Sequence, residues 1–138
     1  MAVFSTSGID RYALSLEELE NIPGGVIEEM VLSEGEVIRK GQAEEAAAML
    51  QGPYYAGDVA KGAALGKPKK TADGKCVFVS FKGTAHGNRV AEIAFINEFG
   101  KKNQPPRPFI STANEKHAEA AVEAAAKVYD EYLKKNNL

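Results

Sequence analysis

Thiol and imidazole groups, which most often perform nucleophilic or metal chemistry, are scarce in this chain. The sequence contains one cysteine, Cys76, and two histidines, His86 and His117. Cys76 lies in the apolar run 76–81, where we expect a small buried hydrophobe. His86 falls in a glycine-flanked loop and His117 in a predicted helix. Two distant imidazoles without further soft ligands do not form a metal site, so we predict no catalytic residue, no metal and no cofactor.

The carboxylates and glycines do not form a catalytic or phosphate-binding pattern either. The neighbours Glu28 and Glu29 point in different directions on a helix, so they do not act as a carboxylate pair, and the same holds for Glu44 and Glu45. The glycine segments 24–25 and 83–87 lack the Gly-Lys-Ser/Thr ending of a phosphate-binding loop. We therefore predict that the protein is not an enzyme.

Composition predicts one ordinary globular domain over residues 1–138. Hydrophobic residues make up 44 % and charged residues 26 % of the chain, which are typical globular values. We expect a helical N-terminal part over about 1–52 and an α+β core over about 53–138. The formal net charge of -2 gives no reason to expect non-specific nucleic-acid binding by the whole molecule.

Cysteine usage and hydropathy predict a cytoplasmic assembly environment without a membrane. A single cysteine excludes an intramolecular disulfide and a multi-cysteine zinc site, and it suits a reducing compartment. The first residues lack a charged region followed by a long apolar core, so we predict no signal peptide. No apolar run approaches the ~20 residues that span a bilayer. We expect a soluble protein.

Two helices are predicted in the N-terminal part. Ser15 and Glu18 form a capping box, and Leu14 and Leu19 a hydrophobic staple, at the start of a short helix. A longer helix follows the glycines at 24–25 and ends at 52–53, with apolar residues at helical spacing. Glycines at 35 and 41 disfavour a helix interior, and we expect them to mark a bend or a close approach to another backbone.

A β-hairpin over about 63–82 is predicted next. Residues 63–70 form a weak strand and residues 76–81 a strong one. Asp73 and Gly74 are a favoured central pair for a type I′ turn. Pro68 cannot donate a ladder hydrogen bond, so its strand belongs at the sheet edge. Residues 83–88 are predicted to be a mobile surface loop.

Helical spacing predicts a helix over residues 89–99, with Asn88 as its cap and Gly100 as a left-handed terminator. A strand is the competing prediction, because the segment is rich in Val, Ile and Phe. The last helix is predicted to start at Thr112, with Glu115 completing a capping box, and to run to about Lys135.

Between these helices, prolines at 105, 106 and 108 hold the chain extended and present Arg107 and Phe109 on a rigid strip. In one interpretation Phe109 and Ile110 fill the core while Arg107 pairs with a carboxylate such as Glu98. In the other, the strip also contacts a partner subunit. The elements together predict an α+β fold, with a long N-terminal and a long C-terminal helix packed on a small antiparallel sheet.

Basic residues are spread over the hairpin and two later loops: Lys67, Lys69, Lys70, Lys75, Lys82, Arg89, Lys101 and Lys102. If these segments converge, they form a positive rim. Lysines on a hairpin are also explained by solvation and by protection of a sheet edge. As a rim they would contact acidic neighbours or line a ring through which DNA passes. No helix-turn-helix signature supports sequence-specific DNA binding.

Two short motifs stand out in the second half of the chain. The first is Glu98-Phe99-Gly100, and after a polar loop the second, Arg107-Pro108-Phe109, precedes the final helix. The chain resembles the tail-component family of long-tailed bacteriophages and prophages, named after gene product ten of a lambdoid phage. Members carry Glu-(Phe/Tyr)-Gly-Thr and Ala-Arg-Pro-Phe. Here Lys101 replaces the Thr and Pro106 the Ala, while segment 55–61 is similar to the family's small-Gly-Asp/Asn-aliphatic segment. The resemblance covers about residues 53–115.

The resemblance implies a non-enzymatic virion protein that completes the tail or joins it to the neck as part of a ring. It implies other tail and neck proteins as partners, and a location in the virion after assembly in the host cytoplasm. The residues of the two motifs would then hold the assembly loops. Two alternatives stay open: a small nucleic-acid-binding protein that uses the basic hairpin, and a thiol enzyme that uses Cys76.

Overall fold

A computed structural model describes residues 22–51, 57–72 and 74–136. The chain has the predicted α+β fold, with four helices and six short strands in these ranges. They are α1 (Gly24–Met49), α2 (Asp58–Gly62), β1 (Ala63–Leu65), β2 (Lys69–Thr71), β3 (Gly74–Cys76), β4 (Val79–Phe81), β5 (Thr84–Ala85), β6 (Asn88–Arg89), α3 (Val90–Phe99) and α4 (Phe109–Lys135). The predicted short helix near Ser15 lies outside the described residues. The long helix ends at Met49, before the predicted stop at 52–53.

The two long helices pack against each other over the most extensive contact between described elements. Ala46 and Leu50 at the end of α1 cluster with Phe109 at the start of α4, and Gly41 meets the ring of His117. The helices are therefore antiparallel. Gln42 Nε2 donates to Asn114 Oδ1 at 2.9 Å across this contact.

The glycines inside α1 are explained by the close approach of neighbouring side chains. A Cβ on Gly41 would lie 2.4 Å from Cδ2 of His117. A Cβ on Gly35 would lie 2.6 Å from Cγ1 of Val77 and 2.7 Å from Cδ1 of Leu65. The neighbours are side chains of α4 and of the hairpin, where we had expected backbone. The absence of a side chain at these two positions lets both elements lie against α1.

The predicted hairpin is confirmed as an antiparallel pair, but it is interrupted. β1 pairs with β4, with Ala63 opposite Phe81, and β2 pairs with β3, with Thr71 opposite Gly74. The break at 66–68 includes Pro68, which has no N–H for the ladder. Gly74 is thus a strand residue with φ of 143° and not a central residue of the turn as predicted, and Asp73 lies outside the described residues.

Residues 83–88 form a second hairpin, so the predicted mobile loop is wrong. β5 pairs with β6, with Ala85 opposite Asn88. His86 and Gly87 between them have φ of 54° and 77°. Two consecutive positive φ values define a type I′ turn, whose twist matches that of the flanking strands. The Gly signal was visible in the sequence, and His is among the non-glycine residues enriched at positive φ. The strands are only two residues long.

Residues 90–99 are a helix, which removes the competing strand prediction, but its predicted cap is wrong. Asn88 lies in β6, and its Nδ2 donates to the carbonyl oxygen of His86 at 3.3 Å. The hairpin itself starts the helix, because the N–H of Val90 donates to the carbonyl oxygen of Gly83 at 2.9 Å. Tertiary pairing has here replaced the local cap that the sequence favoured.

Candidate functional site

Glu98 joins the end of α3 to the start of α4. Its carboxylate accepts hydrogen bonds from the N–H groups of Ile110 at 2.8 Å and Ser111 at 3.1 Å, and from the Ser111 hydroxyl. The first amides of a helix have no partner within the helix, and negative charge is favoured at that end. Glu98 is 6 % exposed, so it is a buried cap supplied by another helix.

This cap corrects the predicted start of the last helix. α4 starts at Phe109, three residues before the predicted Thr112, and its capping-box side-chain bond does not occur among the described residues. The Glu98 carboxylate bonds to the amides of α4, and the pairing of Arg107 with a carboxylate stays a prediction. Arg107 is half-buried, and its own N–H donates to the carbonyl oxygen of Asn97 at 2.6 Å.

Gly100 makes the sharp turn after α3. Its φ is 78° and its ψ is 176°, a combination that residues with a side chain rarely adopt. A Cβ here would lie 2.9 Å from the oxygen of Gln104 and 3.0 Å from the nitrogen of Pro106. The turn is closed by Lys101, whose N–H donates to the Gln104 oxygen at 3.0 Å. Gly100 has the positive φ of the predicted left-handed terminator, but its ψ of 176° is not the left-handed helical value.

Asn97 bonds to the other side of this turn, and it was not identified from the sequence as a site residue. It is fully buried. Its Nδ2 donates to the carbonyl oxygen of Ile93 at 2.8 Å, and its Oδ1 accepts from Nε2 of Gln104 at 3.3 Å. Its position three residues after the buried Ala94 placed it on the inner face of α3. A polar residue on an apolar face was the available signal.

Phe109 fills the centre of the core, as one interpretation predicted. It is 0 % exposed, and its ring meets that of Phe81 edge to face, with centroids 5.6 Å apart. The N–H of Phe109 donates to the carbonyl oxygen of Arg107 at 2.8 Å. Pro108 between them is exposed. We call the bonded group of Asn97, Glu98, Gly100 and Phe109 the α3–α4 corner.

The opposite face of α3 is apolar and exposed. Ala91, Phe95 and Phe99 lie four residues apart, and we call them the α3 ridge. Phe95 is 62 % and Phe99 67 % exposed, and their ring centroids are 4.8 Å apart. A shallow hollow of about 380 Å³ lies beside the ridge, lined by Arg89, Ala91, Glu92, Phe95 and Ile96.

A second hollow of about 330 Å³ lies on the other side of Ile96. Its polar lining includes Asp58, His86, Asn97 and Lys101. Nε2 of His86 is 3.8 Å from Oδ2 of Asp58, which is an ion pair only when the imidazole is protonated. Nothing in this geometry aligns a nucleophile with a base among the described residues.

The predicted basic rim is distributed over several elements. Lys69 lies over the ring of Phe78, with Nζ 5.4 Å from the centroid, and Lys75 pairs with Glu28 at 2.7 Å beside the start of α1. Arg89 pairs with Glu92 at 2.8 Å. The remaining members are exposed: Lys67 and Lys70 on the hairpin, Lys82 at its base, and Lys101 and Lys102 after α3.

The thiol and imidazole residues are also placed apart. Cys76 is half-buried in β3, so the expectation that it is buried is wrong. His117 lies against Gly41 in the helix contact. Within residues 22–51, 57–72 and 74–136, no three His, Cys, Asp or Glu residues come together as metal ligands. In the same ranges, no helix is long and apolar enough to span a membrane.

Comparisons with protein-family models, with curated proteins and with solved structures find no match to this chain.

Proposed function

We propose that the chain is a non-enzymatic structural subunit of a tailed bacteriophage or prophage. It completes the tail or joins it to the head–tail neck, and it acts by assembling with copies of itself into a ring. Its partners are other tail and neck proteins, in the virion and, during assembly, in the host cytoplasm. The motifs around Glu98 and Arg107, through which the chain resembles the phage family, are the sequence basis of this proposal.

The observation that carries the proposal is the pair of exposed aromatic rings on α3. Large apolar side chains that are exposed side by side are typical of interaction surfaces. Phe95 and Phe99 stand on a helix whose inner face is fixed by the α3–α4 corner, so the rings are held in place before any partner arrives. A preformed surface of this kind suits an assembly part, because little order has to be gained on binding.

Size exclusion with light scattering, over a range of protein concentrations, tests this proposal. We expect one discrete oligomer, with ring-shaped particles in negative-stain images. The matched control is the Phe95→Ser, Phe99→Ser variant, which should elute as a monomer with an unchanged circular dichroism spectrum. A monomer at every concentration, together with no binding to tail or neck components, contradicts the proposed function.

The exposed lysines of the hairpin support a second candidate, a small nucleic-acid-binding protein. Lys67, Lys69 and Lys70 lie close together on one side of the hairpin turn. Binding of this kind depends on phosphate neutralisation and falls steeply with salt. Titration of duplex DNA at low salt tests it, with Lys67→Gln, Lys70→Gln as the variant. Absence of binding by the wild-type protein at low salt removes this candidate.

A further inference from the structure

The α3 ridge ends in positive charge. Lys101 and Lys102 follow Gly100 directly and are exposed. Within the described parts of the chain neither lysine forms an ion pair. At the other end of the ridge, Arg89 and Glu92 neutralise each other at 2.8 Å. The surface beside the two exposed rings is therefore positive at one end and close to neutral at the other.

The outer face of α4 carries the opposite charge. Glu115, Glu119 and Glu123 are exposed and lie four residues apart, and Asp130 follows on the same side of the helix. In the ranges that the structure describes, these carboxylates form no ion pair. The exposed Ala126 lies between them on this side, and its small side chain lets a bulky group approach closely. We call these four acidic residues and Ala126 the α4 acidic face.

We propose that the α3 ridge of one copy docks on the α4 acidic face of the next copy. Phe95 and Phe99 would lie over Ala126 and the aliphatic parts of the glutamates, while Lys101 and Lys102 would meet carboxylates. This inference rests on the proposed function and names the contact through which the subunits join. The two surfaces differ, so the contact is head-to-tail, and such contacts close into rings.

The charges argue against either surface binding itself. Two α4 acidic faces repel each other, because each presents four carboxylates against a single flanking lysine, Lys127. Two α3 ridges in contact would leave Lys101 and Lys102 opposite lysines or the neutralised Arg89–Glu92 pair. Only the unlike pairing gives both sets of charges an opposite partner, and complementary charge selects partner and register.

Two variants test the contact, and each disrupts one of its two surfaces while the other stays intact. The ridge variant carries Phe95→Ser and Phe99→Ser, and the face variant carries Glu115→Lys and Glu119→Lys. All four positions are exposed, so folding should be unaffected, which circular dichroism checks. In sedimentation velocity at low salt, each variant alone should be a monomer. An equimolar mixture should form a dimer and nothing larger, because only one intact contact can form.

A charge swap and a matched control complete the design. Adding Lys101→Glu and Lys102→Glu to the face variant should restore assembly, to within about tenfold of the wild-type dissociation constant. The control variant carries Glu29→Lys and Glu44→Lys, which change the net charge equally on exposed positions of α1. It should assemble like the wild type. Loss of assembly in the control would mean that net charge, and not the α4 acidic face, governs association.

The outcomes separate this inference from the proposed function. If the wild type forms rings but the mixture of variants does not dimerise, the docking contact is wrong and the ring proposal stands. If the mixture dimerises but the wild type forms open chains, the contact stands and the ring proposal fails. Self-association of the face variant alone, or a monomeric wild type at low salt, overturns the contact.

Discussion

The two faces of α3 contrast sharply, although they are built from the same ten residues. The inner face ends in the α3–α4 corner, where Asn97 and Glu98 are buried and their polar side-chain atoms are hydrogen-bonded. The outer face exposes Phe95 and Phe99 and leaves their apolar surface in water. Burial and exposure are thus reversed relative to the usual behaviour of these residue types.

Within one motif, some residues therefore determine the fold, and another is exposed and available for binding. In the sequence, Glu98-Phe99-Gly100 is one block, and we assigned it one assembly role. In the structure, Glu98 and Gly100 set the path of the chain into α4, while Phe99 contributes nothing to the core. The inner face is expected to respond to substitution through stability and the outer face through association.

Phe109→Ala should have the largest effect on stability. The ring is fully buried and contacts Phe81 edge to face, so its removal leaves a cavity at the centre of the core. We expect the free energy of unfolding to fall by about 3–5 kcal/mol in urea denaturation. The control is Phe99→Ala on the outer face, which should lose less than about 0.5 kcal/mol. Equal losses at both positions would contradict the division of α3 into two faces.

Glu98→Ala should have the next largest effect. The substitution leaves the N–H groups of Ile110 and Ser111 without their acceptor at the buried start of α4. Buried donors that lose a charged partner cost about 1.5–3 kcal/mol, which urea denaturation would measure. Glu92→Ala is the control, because Glu92 is exposed and bonds only to Arg89 among the described residues. It should change stability by about 0.5 kcal/mol or less.

Gly100→Ala should cost somewhat less, about 1–2 kcal/mol, because an L-residue is strained at positive φ. The new Cβ would also press on Gln104 and Pro106. Gly25→Ala is the control, since a Cβ there meets nothing within 4 Å and alanine is the better helix former. Thermal unfolding should therefore shift in opposite directions for the two variants. A stabilising effect at Gly100 would mean that the turn after α3 is not strained.

The sequence alone predicted the features that depend on hydrophobic periodicity and on glycine. The two long helices, the hairpin at 63–82 and the positive φ of Gly100 all follow from local patterns. The start of α4 could not be predicted in the same way. Its capping group, Glu98, comes from a different helix. The capping box that the sequence offers at Thr112 and Glu115 lies inside α4 and does not start it.

The sequence predicted the candidate site less well than it predicted the fold. Spacing alone places Val90, Ile93, Ile96 and Phe99 on a common side of α3 and gives no sign that Phe99 differs from the others in exposure. In the structure Val90 is buried, whereas Phe99 is 67 % exposed. The inner face is occupied by Asn97 and Glu98, whose partners lie in the loop after α3 and in α4. Buried polar residues are recognised only when their partners are known.

Phe99→Ser should have the smallest effect on stability and the clearest effect on association. The ring loses contact mainly with Phe95, at 4.8 Å between centroids, so the free energy of unfolding should change by less than about 0.5 kcal/mol. A change that leaves the urea midpoint fixed but abolishes the oligomer would assign the outer face to assembly. If the oligomer survives Phe99→Ser and Phe95→Ser together, the exposed rings are not the contact, and the lysines that follow Gly100 become the next surface to vary.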